Sequence, residues 1–116
     1  MGVQDFDVQL KWIGRVVVVS VSGDIDALTA PRLSDEILNV LPKEPSAVIV
    51  DLSAVDFMAS SGMAVLVSAH ERVTHIAQFG VVADGPATSR PLKLMGLDAI
   101  IPLHPTLEHA LASCTV

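Results

Sequence analysis

The strongest constraint on the fold is the valine-rich segment at residues 15–21, which contains the four consecutive valines Val16–Val19. Such a run favours a buried β-strand. The preceding segment alternates, with an apolar side chain at every second position from Phe6 to Trp12 and polar ones between them. This period of two predicts a half-exposed strand. Since Gly14 permits a tight turn between the two segments, we expect them to pair as a hairpin.

Beyond this hairpin, patterns typical of helices and strands follow one another along the chain. Pro31 in a first helical turn and Pro42 after a last one bound the first predicted helix, for which Thr29 is the expected N-cap. Gly96 is expected to end the third helix in a left-handed conformation, and Pro91 to delay or kink that helix. The predicted elements are a loop over 22–28, a helix from Thr29 to Pro42, a strand over 47–52, a loop over 53–59, a helix that begins near Ser60 or Ser61, a strand over 79–83, a short helix ending at Gly96, a strand over 99–103 and a helix over 106–112. The second of these helices has an apolar face formed by Met63, Leu66, Val67, His70 and Val73.

The order β-β-α-β-α-β-α-β-α predicts an α/β fold, in which helices pack on a mostly parallel sheet with an N-terminal β-hairpin. With 116 residues, the chain is expected to form one domain over 1–116 with a core over about 6–112. Apolar residues make up 51% of the chain, so it can bury an ordinary core, and disorder of the whole chain is excluded.

Charge and composition exclude several classes of function. Thirteen acidic residues outweigh seven basic ones, and the resulting net charge of −6 argues against binding to nucleic acid. The apolar runs are far shorter than the ~18 residues of a membrane span, and no secretory signal is visible, so a cytoplasmic protein without a membrane partner is expected. The single cysteine, Cys114, cannot form an internal disulfide.

Signals for an enzyme or a metal site are weak. The sequence contains neither a glycine-rich phosphate loop nor a G-x-S-x-G nucleophile elbow. Two histidine pairs, His70 with His75 and His104 with His109, are spaced five residues apart. Five residues turn a helix by about 500°, which leaves the two imidazoles about 140° apart and unable to bind one zinc ion. The sequence therefore predicts no catalytic, cofactor-binding or metal-ligating residue.

Aspartates near the ends of predicted strands are one group of candidate functional residues. Asp24 and Asp26 follow one buried strand, and Asp51 and Asp56 flank the loop after the next. Open α/β sheets place their sites at the carboxyl ends of parallel strands. Each aspartate taken alone can equally be a turn or capping residue.

The start of the second predicted helix is the other candidate. Ser60 and Ser61 open this helix, and Gly62 behind them lets another surface approach the backbone closely. A phosphate is tolerated at a helix N-terminus, so modification of a serine there need not unfold the helix. The alternative is that the serine is simply a favoured N-cap.

Several segments of the chain together form a family pattern. They are Gly23-Asp24-Ile25-Asp26, Thr29-Ala30, Val48-Ile49-Val50-Asp51-Leu52-Ser53 and Val55-Asp56-Phe57-Met58-Ala59-Ser60-Ser61-Gly62-Met63, with Pro86, Arg90 and Gly96-Leu97 as later landmarks. This pattern resembles the STAS domain of bacterial anti-sigma factor antagonists, and the match runs from about Phe6 to Ala112. Its most specific part is the block from Asp-Leu-Ser to Ser-Ser-Gly.

The resemblance implies a protein–protein switch rather than catalysis. In this family the unmodified antagonist binds an anti-sigma factor that is also a serine kinase, and so frees the sigma factor. Phosphorylation of one serine ends the contact, and a serine phosphatase resets it. The resemblance places the phosphoacceptor at Ser60, with Ser61 as second candidate, and Asp26 matches the acid close to it. The implied partner-binding residues are Asp24, Asp26, Thr29, Ser60, Ser61, Gly62 and Met63, in a monomer or weak dimer without a cofactor.

One departure from the family pattern keeps alternatives open. The family usually has Asp immediately before the phosphoacceptor, and this chain has Ala59. In one alternative, the protein is a STAS scaffold or sensor subunit in a regulatory assembly and does not switch. In another, it is a small α/β enzyme or ligand-binding protein that uses Asp24, Asp26, Asp51 and Ser60, although a catalytic base and a phosphate loop are missing.

Overall fold

A computed structural model describes residues 6–114, with a five-stranded sheet at the centre. Residues 1–5 and 115–116, which belong to the predicted domain, lie outside this range. The elements are β1 (Asp7–Ile13), β2 (Val16–Ile25), α1 (Ala30–Val40), β3 (Ala47–Met58), α2 (Ser60–Val73), β4 (Gln78–Val82), α3 (Ser89–Leu94), β5 (Leu103–His104) and α4 (Leu107–Ser113). No helix within residues 6–114 is long and apolar enough to cross a bilayer.

The strands are hydrogen-bonded in the order in which they occur in the chain, β1-β2-β3-β4-β5. β1 pairs antiparallel with β2, and the other neighbouring strands pair in parallel. Gly14 and Arg15 form the hairpin turn between the paired residues Ile13 and Val16, and Gly14 has a φ of +60°, which favours glycine. The predicted α/β fold, with a mostly parallel sheet and an N-terminal hairpin, is confirmed.

The two faces of the sheet are covered unequally. Alternate valines of β2 point to the face that carries α1 and α2, where most of the core lies. The opposite face carries α4, whose Ala110 packs against Ile49 and Val82. The main core on the first face includes Val17, Val19, Val21, Leu33, Ile37, Val40, Leu66, Ala69 and Val73. Of the apolar face predicted for α2, Leu66 and Val73 are buried, whereas Met63, Val67 and His70 are half-buried.

β2 and β3 are longer than the sequence predicts. The loops predicted over 22–28 and 53–59 are wrong for most of their length, because β2 continues to Ile25 and β3 to Met58. The two segments pair with each other in parallel, with register shifts in between. Residues 22–28 contain the Ser, Gly and Asp residues typical of a loop, and residues 53–59 lack the alternation of polar and apolar residues that marks a strand. In the fold each segment supplies strand hydrogen bonds to the other, and the register shifts absorb the irregularity.

The segment before α4 also differs from its prediction. The strand predicted over 99–103 is wrong, because the N–H groups of Ile100 and Ile101 both donate to the Leu97 carbonyl oxygen in tight turns, and the strand forms only at Leu103–His104. Gly96 is left-handed as predicted, with a φ of +74°. Pro91 lies in the first turn of α3, where its missing N–H costs little, so the late start of this helix is confirmed.

Candidate functional site

The ends of β2 and β3 bring most of the predicted site residues together. β3 pairs with β4 up to Asp51 and then continues with β2 alone, so that the two strands form a ribbon. Asp24 lies opposite Phe57 at the end of this ribbon, and α2 begins just after it at Ser60. We call the carboxyl ends of β2 and β3, together with residues 26–29 and the first turn of α2, the ribbon end.

Backbone contacts fix the first turn of α2 against β2. The N–H of Ala59 donates to the carbonyl oxygen of Ile25 at 2.8 Å. A Cβ atom added to Gly62 would lie 2.7 Å from Cγ2 of Ile25 and 2.8 Å from Cγ of Met58, distances that real Cβ atoms do not show. Gly62 therefore permits a close approach, as its position in the sequence suggests. The approaching surface belongs to the protein itself, because Gly62 is buried.

Asp26 organises the turn between β2 and α1. Its Oδ1 accepts hydrogen bonds from the N–H groups of Leu28, at 2.9 Å, and Thr29, at 3.0 Å. The Thr29 hydrogen bond is the main reason that the pKa of Asp26 lies below its usual value; burial opposes this effect, and Leu28 reinforces it. Asp26 is therefore ionised at neutral pH, with one oxygen engaged in the turn.

Thr29 stands immediately before α1, as predicted, but its side chain does not cap this helix. The buried Thr29 hydroxyl donates instead to the Asp24 carbonyl oxygen, at 2.8 Å, and accepts the Asp26 N–H, at 2.9 Å. The predicted N-cap position of Thr29 is confirmed, but its hydroxyl makes no capping hydrogen bond because it is used to close the turn. Through these bonds Thr29 holds Asp24 and Asp26 in place, and it does so from the interior.

Ser60 and Ser61 differ in exposure although they are adjacent. Ser60 is exposed, whereas Oγ of Ser61 is buried and has no hydrogen-bond partner among residues 6–114. The N-cap of α2 is Ala59, with extended backbone angles (φ −81°, ψ 172°), and no described side chain caps this helix. The alternative that Ser60 serves as the N-cap is therefore wrong. Its hydroxyl is the accessible one of the pair.

The four aspartates and the serine pair do not form one cluster. Asp51 and Asp56 lie within β3 rather than beside a loop, and Oδ1 of Asp51 accepts the Ser53 N–H at 3.0 Å. The part of β3 between Asp51 and Met58 is roughly 23 Å long. Asp51 is thus far from Ser60. The arrangement considered for an enzyme or a ligand-binding protein is not formed.

Two apolar residues at the ribbon end were not identified from the sequence as partner-binding candidates. Leu28 is 79% exposed, although it lies between Asp26 and Thr29 in a tightly bonded turn, and Phe57 is 54% exposed. An apolar residue inside a polar turn is the signal that could have identified Leu28. Met63 is half-buried. The ribbon end thus combines exposed apolar side chains with an exposed carboxylate, that of Asp24.

The histidine pairs give a further correction. His104 lies on β5 and His109 in α4, and their Nδ1 atoms are 2.9 Å apart, so the prediction that a helix holds their rings apart is wrong. Burial, and then the charge of His109, lower the pKa of His104. His70 lies at the rim of the core, and its ring is in edge contact with the ring of Phe79, with 5.9 Å between the two ring centroids. Within residues 6–114, no three His, Cys, Asp or Glu side chains are grouped so as to hold a metal ion.

The sequence model of one family covers nearly the whole described chain. The STAS domain model matches residues 7–110. This chain belongs to the STAS domain family. The resemblance seen in the sequence motifs is therefore confirmed, and the ribbon end is a feature of a STAS domain.

Proteins similar to this chain include anti-sigma factor antagonists. The anti-sigma-F factor antagonist RsfB of Mycobacterium tuberculosis is 44% identical over 96 residues, which cover 83% of this chain and 79% of RsfB. The crystal structure of an anti-sigma factor antagonist from Mycobacterium paratuberculosis has a TM-score of 0.90 and 44% identity, and the match covers 95% of this chain and 94% of that one. The phosphorylated form of the Bacillus cell fate determinant SpoIIAA shares the fold, with a TM-score of 0.69 and 18% identity over 91% of this chain and 97% of that one.

Proposed function

We propose that this STAS protein is an anti-sigma factor antagonist, that it binds an anti-sigma factor through the ribbon end, and that phosphorylation of Ser60 ends this contact. The observation that carries the proposal is the contrast between the exposed Ser60 and the buried Oγ of Ser61 on the first turn of α2. The class of partner is supported by the relatives at 44% identity, both of which are named as antagonists of anti-sigma factors.

The chemistry of the ribbon end fits a contact that a phosphate would disrupt. Leu28 and Phe57 offer exposed apolar surface to a partner. A phosphate on Ser60 would add about −1.5 to −2 charges to an end that already carries the carboxylates of Asp24 and Asp26. Repulsion and the cost of desolvating this charge would then weaken the contact.

The same phosphate would leave the fold unchanged. It would stand at the N-terminus of α2, where the helix dipole favours negative charge and no described side chain occupies the cap. The first turn is held by Ala59 and Gly62 rather than by the Ser60 side chain. The proposed switch therefore acts on the surface and not on the position of the helix.

The finer parts of the proposal concern the partners. We propose that the anti-sigma factor is itself the serine kinase, that its capture frees a sigma factor, and that a serine phosphatase removes the phosphate. The family resemblance supports this cycle, and SpoIIAA, which shares the fold, has been obtained in a phosphorylated form. Ser61 is a weaker acceptor in this proposal, because its hydroxyl is buried.

Ala59 favours one alternative function. This residue occupies the N-cap position, where the family usually has Asp, and it offers a kinase no carboxylate next to Ser60. A protein that keeps the STAS surface but escapes the kinase would bind its partner constitutively, as a scaffold or sensor subunit. The two functions differ in whether Ser60 is phosphorylated.

The deciding experiment compares wild type with Ser60→Glu, Ser60→Ala and Ser68→Glu. Ser68 is exposed on the same helix, so the last variant is a control for added charge. The immobilised proteins are incubated with lysate of the native organism, the bound protein is identified, and its affinity for each variant is measured. We expect an anti-sigma factor that binds Ser60→Glu at least about tenfold more weakly than the other three.

Incubation of the captured anti-sigma factor with wild type and ATP then tests the kinase, with the phosphorylated residue mapped by mass spectrometry. Phosphate on Ser60 supports the switch. Equal binding of all four proteins without phosphate on Ser60 would favour the constitutive scaffold. Failure of every variant to bind an anti-sigma factor would contradict the proposed function altogether.

A further inference from the structure

Among the described residues 6–114, no strand pairs with the outer edge of β1. β1 is the first strand of the sheet, and its neighbour is β2. Antiparallel pairing engages the backbone N–H and C=O groups of alternate residues, so half of these groups in β1 point away from β2. All seven residues pair with β2 without a register shift, and the strand contains no proline. A regular edge of this length is a template for a further strand.

The side chains of β1 are unusually apolar for an open edge. Leu10, Trp12 and Ile13 are 38%, 38% and 39% exposed. Leu10 and Trp12 lie opposite Val19 and Val17, two valines that face the main core. They therefore continue the core face to the rim of the sheet, where more than a third of each remains in contact with water.

The polar side chains of β1 indicate which strand would fit this edge. Asp7, Gln9 and Lys11 occupy alternate positions and so lie on one face of the strand. Nε2 of Gln9 donates to Oδ2 of Asp7 at 3.0 Å. The negative charge of Asp7 and the positive charge of Lys11 thus lie two residues on either side of Gln9. When a second copy of the strand runs in the opposite direction, each charge can face the opposite charge of that copy.

We propose that β1 pairs with β1 of a second copy of this chain, antiparallel and with the two-fold axis at Gln9. In this register Asp7 of each copy lies opposite Lys11 of the other, which gives two pairs of opposite charges. Val8 lies opposite Leu10, and Phe6 opposite Trp12. The Phe6 ring already has the Arg32 guanidinium above it, 4.9 Å from its centroid, so the incoming indole joins an existing cluster.

The symmetric register with its axis at Leu10 is less favourable. A two-fold axis at Leu10 would place Asp7 opposite Ile13 of the second copy and Lys11 opposite Gln9, so that neither charge meets its opposite. In either register the two-fold symmetry makes β2 of the two copies run in opposite directions. The two ribbon ends therefore lie at opposite edges of the ten-stranded sheet, one at each end of the paired β1 strands.

A contact between two seven-residue strands is smaller than a standard interface, so we expect a dimer that forms over about 10 μM to 1 mM. Sedimentation equilibrium measures its dissociation constant. Trp12 is the only tryptophan of the chain, so its fluorescence reports burial of this edge without a label. Emission is expected to shift to shorter wavelength as the dimer forms.

Charge reversal tests the register. The variants are Asp7→Lys, Lys11→Asp and the double variant Asp7→Lys/Lys11→Asp, with Glu71→Lys, an exposed residue of α2, as the control for a change of charge. Each single variant places like charges opposite each other twice, and we expect its dissociation constant to rise at least about tenfold. The double variant, and an equimolar mixture of the two single variants, should associate again to within about threefold of wild type.

Two results would overturn the proposal. A wild type that remains monomeric throughout the range would show that this edge does not pair with itself, and would leave a strand of a different protein as its occupant. A dimer whose dissociation constant is unchanged in both single variants would show that the copies meet elsewhere. Circular dichroism checks that every variant is folded, which is expected because Asp7 and Lys11 are exposed.

Discussion

Gly62 packs directly on Ile25, with no room between them for even one additional carbon atom. The N–H of Ala59 donates to the carbonyl oxygen of the same Ile25. Ser60 lies in the chain between these two contacts, and its own side chain takes part in neither. The backbone alone therefore determines where the Ser60 hydroxyl is presented.

Gly62→Ala is expected to destabilise the protein. Alanine favours a helix over glycine by about 1 kcal/mol, but the contact with Ile25 and Met58 should reverse the sign and lower the free energy of unfolding by about 1–3 kcal/mol. Urea denaturation measures the change. Ser68→Ala, on the exposed side of α2, is the control and should change stability by no more than about 0.5 kcal/mol. A Gly62→Ala protein as stable as wild type would show that β2 and α2 can separate at no cost.

Ser61→Ala is expected to stabilise the protein. The hydroxyl of Ser61 is buried without a partner among the described residues, so its removal relieves a desolvation penalty of about 1 kcal/mol. Ser60→Ala is the matched control, because Ser60 is exposed on the same turn. Its effect should stay within the difference in helix propensity, about 0.5 kcal/mol. Loss of stability in Ser61→Ala, measured by the same urea titration, would indicate that the hydroxyl has a partner.

Ala59→Ser and Ala59→Asp are expected to raise the free energy of unfolding by about 1 kcal/mol each. Ala59 already has the extended backbone angles of an N-cap residue, and the new side-chain oxygen could accept an N–H of the first turn. Thermal denaturation would show a higher melting temperature. The same changes at Ala64, which is exposed within α2, should give no gain, since Ser and Asp are poor helix formers. A gain at both positions would rule out capping as its cause.

Stability is expected to fall in mild acid because of His104. Its pKa in the folded protein lies below the ordinary value of 6.5, so the unfolded chain binds more protons as the pH falls. The free energy of unfolding therefore decreases as the pH falls below 6.5, because protonation of His104 is less favourable in the folded protein than in the unfolded chain. The two Nδ1 atoms are 2.9 Å apart and cannot both carry a proton at that distance. This contact further disfavours protonation of both histidines in the folded protein.

Urea titrations between pH 7.5 and 5 test this dependence. His104→Ala should flatten it, and His109→Ala should reduce it, because the second positive charge is removed. His75→Ala is the control, since this residue is exposed beyond the end of α2. An unchanged pH dependence in His104→Ala would contradict the assignment to His104.

Elements that carry their own periodicity could be predicted from the sequence. The valines of β2 and the start of α2 at Ser60 lie where expected, because the signal for each is within one segment. Residues 22–25 contain Ser, Gly and Asp, residues 53–58 show no alternation of polar and apolar side chains, and each segment becomes strand because the other lies beside it. The sequence of one segment does not contain that information. The contact of His104 with His109 could not be predicted for a similar reason, because it depends on β5 ending before α4 begins.

The positions of three candidate site residues could be predicted, but not the contacts that their neighbours make. Ser60, Asp24 and Asp26 all lie at or next to the ribbon formed by β2 and β3. The difference between Ser60 and Ser61 depends on which hydroxyl faces the interior, and that depends on the tertiary contact of Gly62 with Ile25. Thr29 shows the same limit, because its hydroxyl closes a turn rather than capping a helix.

The sequential order of the strands has a consequence for how the chain is made. Each strand pairs with the one synthesised just before it, so the sheet can grow from β1 towards β5 while the nascent chain leaves the ribosome. None of the strands β1 to β5 has to wait for a later one of them to be inserted between it and its neighbour. Contacts that are close in sequence favour rapid folding, and β5 adds to an edge that β4 has already formed.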